Sequence, residues 1–244
     1  MKKIYTLLFL IITLLFPSTS KAAQNPSSHA LEVESDSSKS IFLTLDADMN
    51  QNMYKRYQSH KVKLWYDPQI IKYLDDQHIS TTFFVSGLFA ETYPDVIKQW
   101  ASNPLFSIQN HSYDESGFIP HCYWLKALTT DDQKLGQIKK TQKILTDLTT
   151  QPPTYFRFPG LCHNASDDKL VENLNLKINE GNVIASDPFN PSATRIVANV
   201  LRQLKDNGVI VMHVGGKNAP SSYEALKKLI PKIQEAGYNF KKLP

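Results

Sequence analysis

Five strand-like stretches of this 244-residue chain end in, or carry, groups able to move protons or hold a metal. Asp46-Ala47-Asp48 follows Ile41 to Leu45, and Asn110-His111-Ser112-Tyr113-Asp114-Glu115 follows Leu105 to Gln109. Arg157 sits within Tyr155 to Phe158, just ahead of Pro159-Gly160. Ser186-Asp187 follows Val183 to Ala185, and His213 follows Val209 to Met212. A buried strand has no reason to end repeatedly in ionisable groups, because each needs a partner or water. Asp and His are ligand types suited to zinc or a similar divalent ion. A carboxylate beside a metal-bound water can take its proton, and a second imidazole can give one. The chain has no Gly-x-Ser-x-Gly elbow, P-loop or Gly-x-Gly-x-x-Gly. The residue types therefore point to a metal hydrolase rather than to a serine hydrolase or a nucleotide enzyme.

Something must bring these five places together, and the pattern between them says what. Thr81 to Val85 is a further strand, rich in β-branched and aromatic residues. Tyr238 to Leu243 reads as a closing strand or tail. Between the strands lie helical signals. Asp67-Pro68 caps and starts one helix, Tyr93 to Ala101 reads as another, and Thr130-Asp131-Asp132 opens a longer one reaching about Leu148. Later helices follow Asp168, carry Ile196, Val197, Val200 and Leu204 on one face, and end with Leu226, Leu229, Ile230 and Ile233. Strands alternating with helices predict an α/β fold with a parallel sheet. About seven βα units suit a small or incomplete barrel with outer helices; a doubly wound open sheet is the alternative. In either, the C-terminal ends of the strands share one face, where sites are built.

Composition narrows the setting. With 41% hydrophobic and 20% charged residues the chain has an ordinary globular balance. Lys2-Lys3, the apolar run Ile4 to Phe16, Pro17 and Ser20-Lys21-Ala22 have the layout of a secretory signal peptide, with cleavage expected after Ala22. Residues 23–40 are rich in Ser, Asn and acids and read as a flexible leader. Beyond the signal, 24 basic residues face 23 acidic ones, which argues against nucleic acid as a partner. No later apolar run is long enough to span a membrane. The mature protein is thus expected to be periplasmic or secreted, free of the membrane after cleavage, and a monomer. In an oxidising compartment its two cysteines, Cys122 and Cys162, are expected to pair.

Thr44-Leu45-Asp46-Ala47-Asp48, His111 to Glu115, Arg157-Phe158-Pro159-Gly160, Asp187 and Val211-Met212-His213 resemble, in order, the motifs of the polysaccharide deacetylases. These are metal-dependent enzymes of the chitooligosaccharide deacetylase homology domain. The likeness runs from about residue 41 to 243 and makes 41–244 the catalytic domain. It implies a distorted barrel of seven or eight βα units and hydrolysis of N-acetyl or O-acetyl groups on a polymer such as peptidoglycan or a chitin-like oligomer. By resemblance Asp46 is the base, His213 the acid for the leaving amine, and Arg157 and Asp187 the groups that position them. Asp48, His111 and Glu115 would hold a divalent metal, most simply Zn²⁺, and Pro159, Gly160 and Tyr113 would lie at the substrate. Asp46→Asn is then expected to abolish turnover and leave the melting temperature within a few degrees.

The sequence departs from the family at two positions. Ala47 stands where a metal-ligating Asp is usual, and Glu115 replaces the second His of a His-x-x-x-His pair. Asp48 reaches the site only if the chain bends after the strand, and the run Met49 to Asn52 reads as a loop that would allow it. The rival reading is a metal-free sugar-binding protein on the same fold; another is a glycosidase built on two carboxylates. His121 could substitute as a ligand, although Pro120-His121-Cys122 reads as a loop. His163 has no matching role, and His29, His60 and His78 read as surface residues. Trp65, Tyr66, Tyr123 and Trp124 lie near motif strands and are candidates to stack on sugar rings, although each alone would be read as core.

Overall fold

A computed structural model of the protein describes residues 39–244. The expected signal peptide and nearly all of the expected leader lie outside the described residues. Among the described residues there are eight strands: β1 Lys39–Ala47, β2 Thr81–Val85, β3 Phe106–Asn110, β4 Tyr155–Phe156, β5 Lys177–Ile178, β6 Val183–Ile184, β7 Gly208–His213 and β8 Tyr238–Phe240. The helices are α1 Gln51–Gln58, α2 Pro68–Asp76, α3 Gly87–Thr92, α4 Pro94–Ser102, α5 Asp131–Thr149, α6 Ala165–Glu172, α7 Ala193–Gln203 and α8 Ser222–Glu235.

Every strand pairing is parallel, in the order β5-β4-β3-β2-β1-β7-β6, with β8 added to the first residues of β1. The sheet curls into an incomplete barrel, open between β5 and β6, as the count of βα units implies. β1 is the axis of the arrangement. It is paired on both sides, and its inward residues Ile41, Leu43 and Leu45 are fully buried. Apolar runs such as Thr81 to Val85, buried at every position, are what a two-sided parallel strand requires.

Register explains why the polar groups converge. Asp46 of β1 is level with Phe84 of β2 and with His213 of β7, and Asn110, the last residue of β3, is level with Val85 and Phe156. The strands therefore finish together, and the segments leaving their C-terminal ends meet at a single rim. Two helices escape the sequence reading. Residues 49–52 are not a plain loop, because Asn50 accepts from Met53 N and caps α1. Helix α3 is a six-residue turn of Gly, Leu, Phe and Ala that shows no amphipathic period.

Candidate active site

Asp46 lies at the rim with 4% of its surface exposed, and its neighbour Ala47 points into the hydrophobic core. Alternation along a strand returns the next side chain, Asp48, to the face of Asp46. Ser86 secures the turn beyond Ala47. Its backbone N–H and hydroxyl both donate to the Ala47 carbonyl, and its oxygen accepts from Met49 N. Asp48 therefore faces the same cavity as Asp46, and Ala47 could not reach it.

His111 follows β3 and is 2% exposed. Its Nδ1 lies 2.9 Å from the Arg157 carbonyl oxygen, which can only accept. In the neutral ring the proton is thereby fixed on Nδ1 and Nε2 is the nitrogen able to ligate, the arrangement seen in metal-ligating histidines. That Nε2 lies 3.4 Å from Asp48 Oδ1 and 3.4 Å from Glu115 Oε1. Glu115 comes back to His111 through an irregular turn in which Ser112 and Glu115 both have positive φ, not through a helix. Gln137 of α5 shapes this turn: its Oε1 accepts from Tyr113 N and Asp114 N, and its amide donates to Asp114 Oδ1.

Asp48, His111 and Glu115 each aim one donor atom into a space where all three lie within 4.8 Å of one another. Asp48 Oδ1 and Glu115 Oε1 are buried and have no hydrogen-bond partner. Two buried carboxylate oxygens without a hydrogen-bond donor and an imidazole nitrogen able to ligate are a donor set that a divalent cation satisfies. The residues present fit a metal.

Two charge pairs flank this set. The Arg157 side chain is fully buried; its Nη1 donates to Asp46 Oδ1 at 2.6 Å, and its Nε and Nη2 donate to the backbone and side-chain oxygens of Asn179. Its guanidinium lies on the Phe84 ring, 3.9 Å from the centroid. On the other side, His213 Nδ1 donates to Asp187 Oδ1 at 2.9 Å, and Asp187 Oδ2 accepts from His213 N and from the Ser222 hydroxyl. His213 Nε2 is left facing Asp48 Oδ2 at 3.4 Å, where Asn218 also donates.

Without a cation, this crowding of carboxylates holds protons. Burial opposes charge on His213, but Asp187 and Asp48 outweigh it and raise its pKa to about 10. Burial likewise opposes His111, and Glu115, Asp46 and Asp48 raise it to about 9. Burial and then Asp48 push Glu115 up to about 8. For Asp48, burial is overcome by His213, His111 and Arg157, which hold it below the usual range. These shifts tie stability to pH. From pH 6.5 to about 10 the folded state binds more protons at both imidazoles than the unfolded chain does, so that stability is lost as pH rises. Glu115, raised from 4.5 to about 8, acts in the same direction. Metal-free protein should therefore melt progressively lower from pH 6.5 to 10, and a divalent cation should stabilise it most at the alkaline end. A melting temperature that rises with pH over that range would contradict this.

The cavity over the site measures about 430 Å³ and is lined by Asp46, Asp48, Glu115, Gly160, Asp187 and His213, among others. Gly160 lies where a substrate residue was expected, and Pro159 is buried behind it. Tyr113 does not line the cavity. Its hydroxyl donates to Glu91 and its ring lies under Lys140, because the turn after His111 directs it toward α3 and α5. Trp65 is 5% exposed and Tyr66 packs against the core, so neither is a sugar-stacking wall; Tyr123 and Trp124 are 60% and 76% exposed and do line the cavity. His121 is exposed and outside the ligand cluster. His163 stacks on Phe158 and sits between Asp168 and Glu180, next in the chain to the Asn179 that holds Arg157. Cys122 and Cys162 are disulfide-bonded, with 5.9 Å between their Cα atoms. Ser86, Asn179, Asn218 and Ser222 are the site residues that the sequence does not single out.

The family model for polysaccharide deacetylase matches residues 34–178. A peptidoglycan-N-acetylglucosamine deacetylase of Bacillus cereus is 30% identical over 182 residues, 74% of this chain and 63% of that protein. The chain thus spans a little under two thirds of that relative. A solved structure of a peptidoglycan N-acetylglucosamine deacetylase superposes with a TM-score of 0.70 at 28% identity, covering 84% of this chain and 86% of that one. A CE4 family pseudoenzyme from Bacillus anthracis shares the fold, with a TM-score of 0.68 at 20% identity over 85% of this chain and 65% of its own.

Proposed function

The chain belongs to the polysaccharide deacetylase family, and we propose that it is an exported hydrolase that removes N-acetyl groups from the glucosamine units of a cell-wall or chitin-like polymer. Relatives named as peptidoglycan-N-acetylglucosamine deacetylases support the substrate class. The signal-like start and the disulfide support export, as does the extracytoplasmic location of peptidoglycan. The observation that carries the reading is the meeting of an Arg157–Asp46 pair, an Asp187–His213 pair and the three convergent donor atoms in one cavity.

Asp48, His111 and Glu115 would hold the metal, with Zn²⁺ the expected ion. Bound there, a divalent cation supplies Lewis acidity for the acetyl carbonyl and for water. The protein's groups do the rest. Asp46, oriented by the hydrogen bond from Arg157 Nη1, takes the proton of the water that attacks the acetyl carbon. His213, charged through its contact with Asp187, gives the Nε2 proton to the nitrogen as the C–N bond breaks. Acetate and a free amine leave, and proton exchange with solvent resets both groups. Ala47 and Glu115 are the features that favour the rival, a metal-free sugar-binding protein.

Metal analysis of purified protein together with acetate release from N-acetylglucosamine oligomers separates the two. The Glu115→Ala variant should bind zinc on the order of tenfold or more weakly, since even outer partners of ligands are worth that much. Glu115→His should bind it more tightly than the parent. Zinc affinity unchanged in Glu115→Ala would remove Glu115 from the ligand set. A parent that takes up no divalent metal and releases no acetate would leave the sugar-binding reading.

A further inference from the structure

The loop from Gly117 to Leu128 stands beside the site and performs no step of the reaction above. Its ends are tied to each other, Gly117 N donating to the Lys126 carbonyl and Leu128 N to the Gly117 carbonyl. Phe118 anchors it from within, packed on Phe156 and Phe158. Cys122 anchors it from the tip through the disulfide to Cys162. Gly160, at φ 63°, lets the Arg157–Gly160 segment pass so close that a Cβ there would lie 2.7 Å from Cys122 Sγ and 3.1 Å from Tyr123. The tip is therefore locked onto the segment that carries Arg157.

That locked tip holds large rings in water. Tyr123 is 60% exposed and Trp124 is 76% exposed, and they meet Phe189, 55% exposed, from the turn that begins at Asp187. Tyr123 and Phe189 are stacked with centroids 5.5 Å apart, and Trp124 stands edge-on to Phe189 at 5.8 Å. Three contiguous exposed aromatics on rigid anchors are a costly surface unless a ligand covers them. All three line the cavity that contains Asp46 and His213. Trp124 also lines a second cavity of about 570 Å³, which shares Glu115 with the first and runs on past Asn52, Gln133 and Gln137. The groove is thus aromatic on one side of Trp124 and rich in amides on the other.

We infer that Tyr123, Trp124 and Phe189 form a platform for a pyranose ring adjacent to the one being deacetylated, so that the protein binds an oligomer and not a single sugar. This rests on the reading of the chain as a deacetylase of a sugar polymer. The chemistry is complementary. Aromatic faces carry negative charge density, and a pyranose with equatorial substituents offers axial C–H groups on its faces. Gln137 is taken up by the turn after His111 and the Gln133 oxygen by the start of α5, which leaves Asn52 and the Gln133 amide nitrogen to meet hydroxyls and N-acetyl groups of the next ring.

The protein carries its own reporter. Of its three tryptophans, Trp65 and Trp100 are 5% and 2% exposed, and only Trp124 is open to solvent. Iodide quenching of the parent protein, read in the first seconds after mixing, should fall on adding the tetramer of β-1,4-linked N-acetylglucosamine. The same concentration of monomer should leave it unchanged. Tyr123→Ala and Phe189→Ala, checked for folding by circular dichroism, should each raise the half-saturating tetramer concentration about tenfold. Unchanged quenching with tetramer, or tetramer binding by both variants at the parent concentration, would overturn the platform. Acetate release measured on the same samples keeps the two readings apart: protection of Trp124 without acetate sinks the deacetylase reading alone, and acetate without protection sinks the platform alone.

Discussion

Asp46→Asn should lower acetate release by roughly 10²–10⁴-fold, the usual contribution of a positioned general base. The same substitution should also destabilise the protein, contrary to the expectation from sequence that the melting temperature would hold. The Asp46 carboxylate accepts from Arg157 Nη1 at 2.6 Å, and the Arg157 side chain is fully buried. An amide oxygen can still accept that hydrogen bond but cannot balance the charge. Removing one partner of a buried pair costs about 3–5 kcal/mol. Asp48, which also acts on Arg157, should keep the cost toward the lower end. For a domain of this size, each kcal/mol lowers the melting temperature by about 2–4 °C, and so a fall of several degrees is expected. The two effects can be separated. Adding Arg157→Met to Asp46→Asn removes the stranded charge and should recover much of the stability while leaving turnover at the level of the single variant. Kinetics are measured well below the lower melting point, with acetate as the readout. If Asp46→Asn keeps most of its rate there, the base lies elsewhere and Asp48 is the next candidate.

The contrast between those two expectations shows what sequence carries and what it does not. Short apolar runs such as Ile41 to Leu45 and Val209 to Met212 announced their strands, because a parallel strand covered on both faces has few other ways to be built. Their shared register brought Asp46 and His213 level, so the convergence at one rim was legible too. Energetic coupling was not: nothing in Tyr155 to Phe158 says that Arg157 is buried against Asp46 and Asn179. Strand β5 was missed because Lys177–Ile178 is two residues long and half polar. The placement of Glu115 depends on a turn with positive φ at Ser112 and Glu115, held by Gln137 of α5, itself more than twenty residues away in sequence. Asn179, Asn218, Ser86 and Ser222 carry no signal, since polar residues in connecting segments are ordinary. The aromatics divide for a similar reason. Trp65 and Trp124 each follow a motif strand at a distance, and sequence cannot say which ring turns inward to donate to Met53 O and which is held out by a disulfide.

Asp187→Asn should be almost as damaging to turnover as the loss of the base, through a change of proton position. Asp187 Oδ1 takes the Nδ1 proton of His213, and Oδ2 takes His213 N–H and the Ser222 hydroxyl. An Asn side chain has one oxygen for these three donors. If its oxygen stays on the His213 backbone N–H, its amide faces Nδ1 and forces that nitrogen to accept. His213 is then a neutral imidazole with its only proton on Nε2, a far weaker acid than the imidazolium. If the amide is reversed, it meets the buried backbone N–H donor to donor, which costs about 1–3 kcal/mol. The first arrangement is cheaper and is the one expected. Turnover should fall by roughly 10²–10⁴-fold. The residual activity should also lose its alkaline reach. With Asp187 in place, opposing burial, the pKa of His213 is raised to about 10 in the metal-free protein, so the acid stays charged through neutral pH. Without that carboxylate the pKa falls, and the alkaline limb of kcat/KM should move to lower pH. The same loss should flatten the decline in metal-free stability between pH 6.5 and 10, because His213 no longer carries an excess proton in the folded state. A purely structural Asp187 would lower stability and leave the position of the alkaline limb where it was. That outcome, or a rate within threefold of the parent, would remove His213 as the acid and leave the leaving amine to be protonated by water.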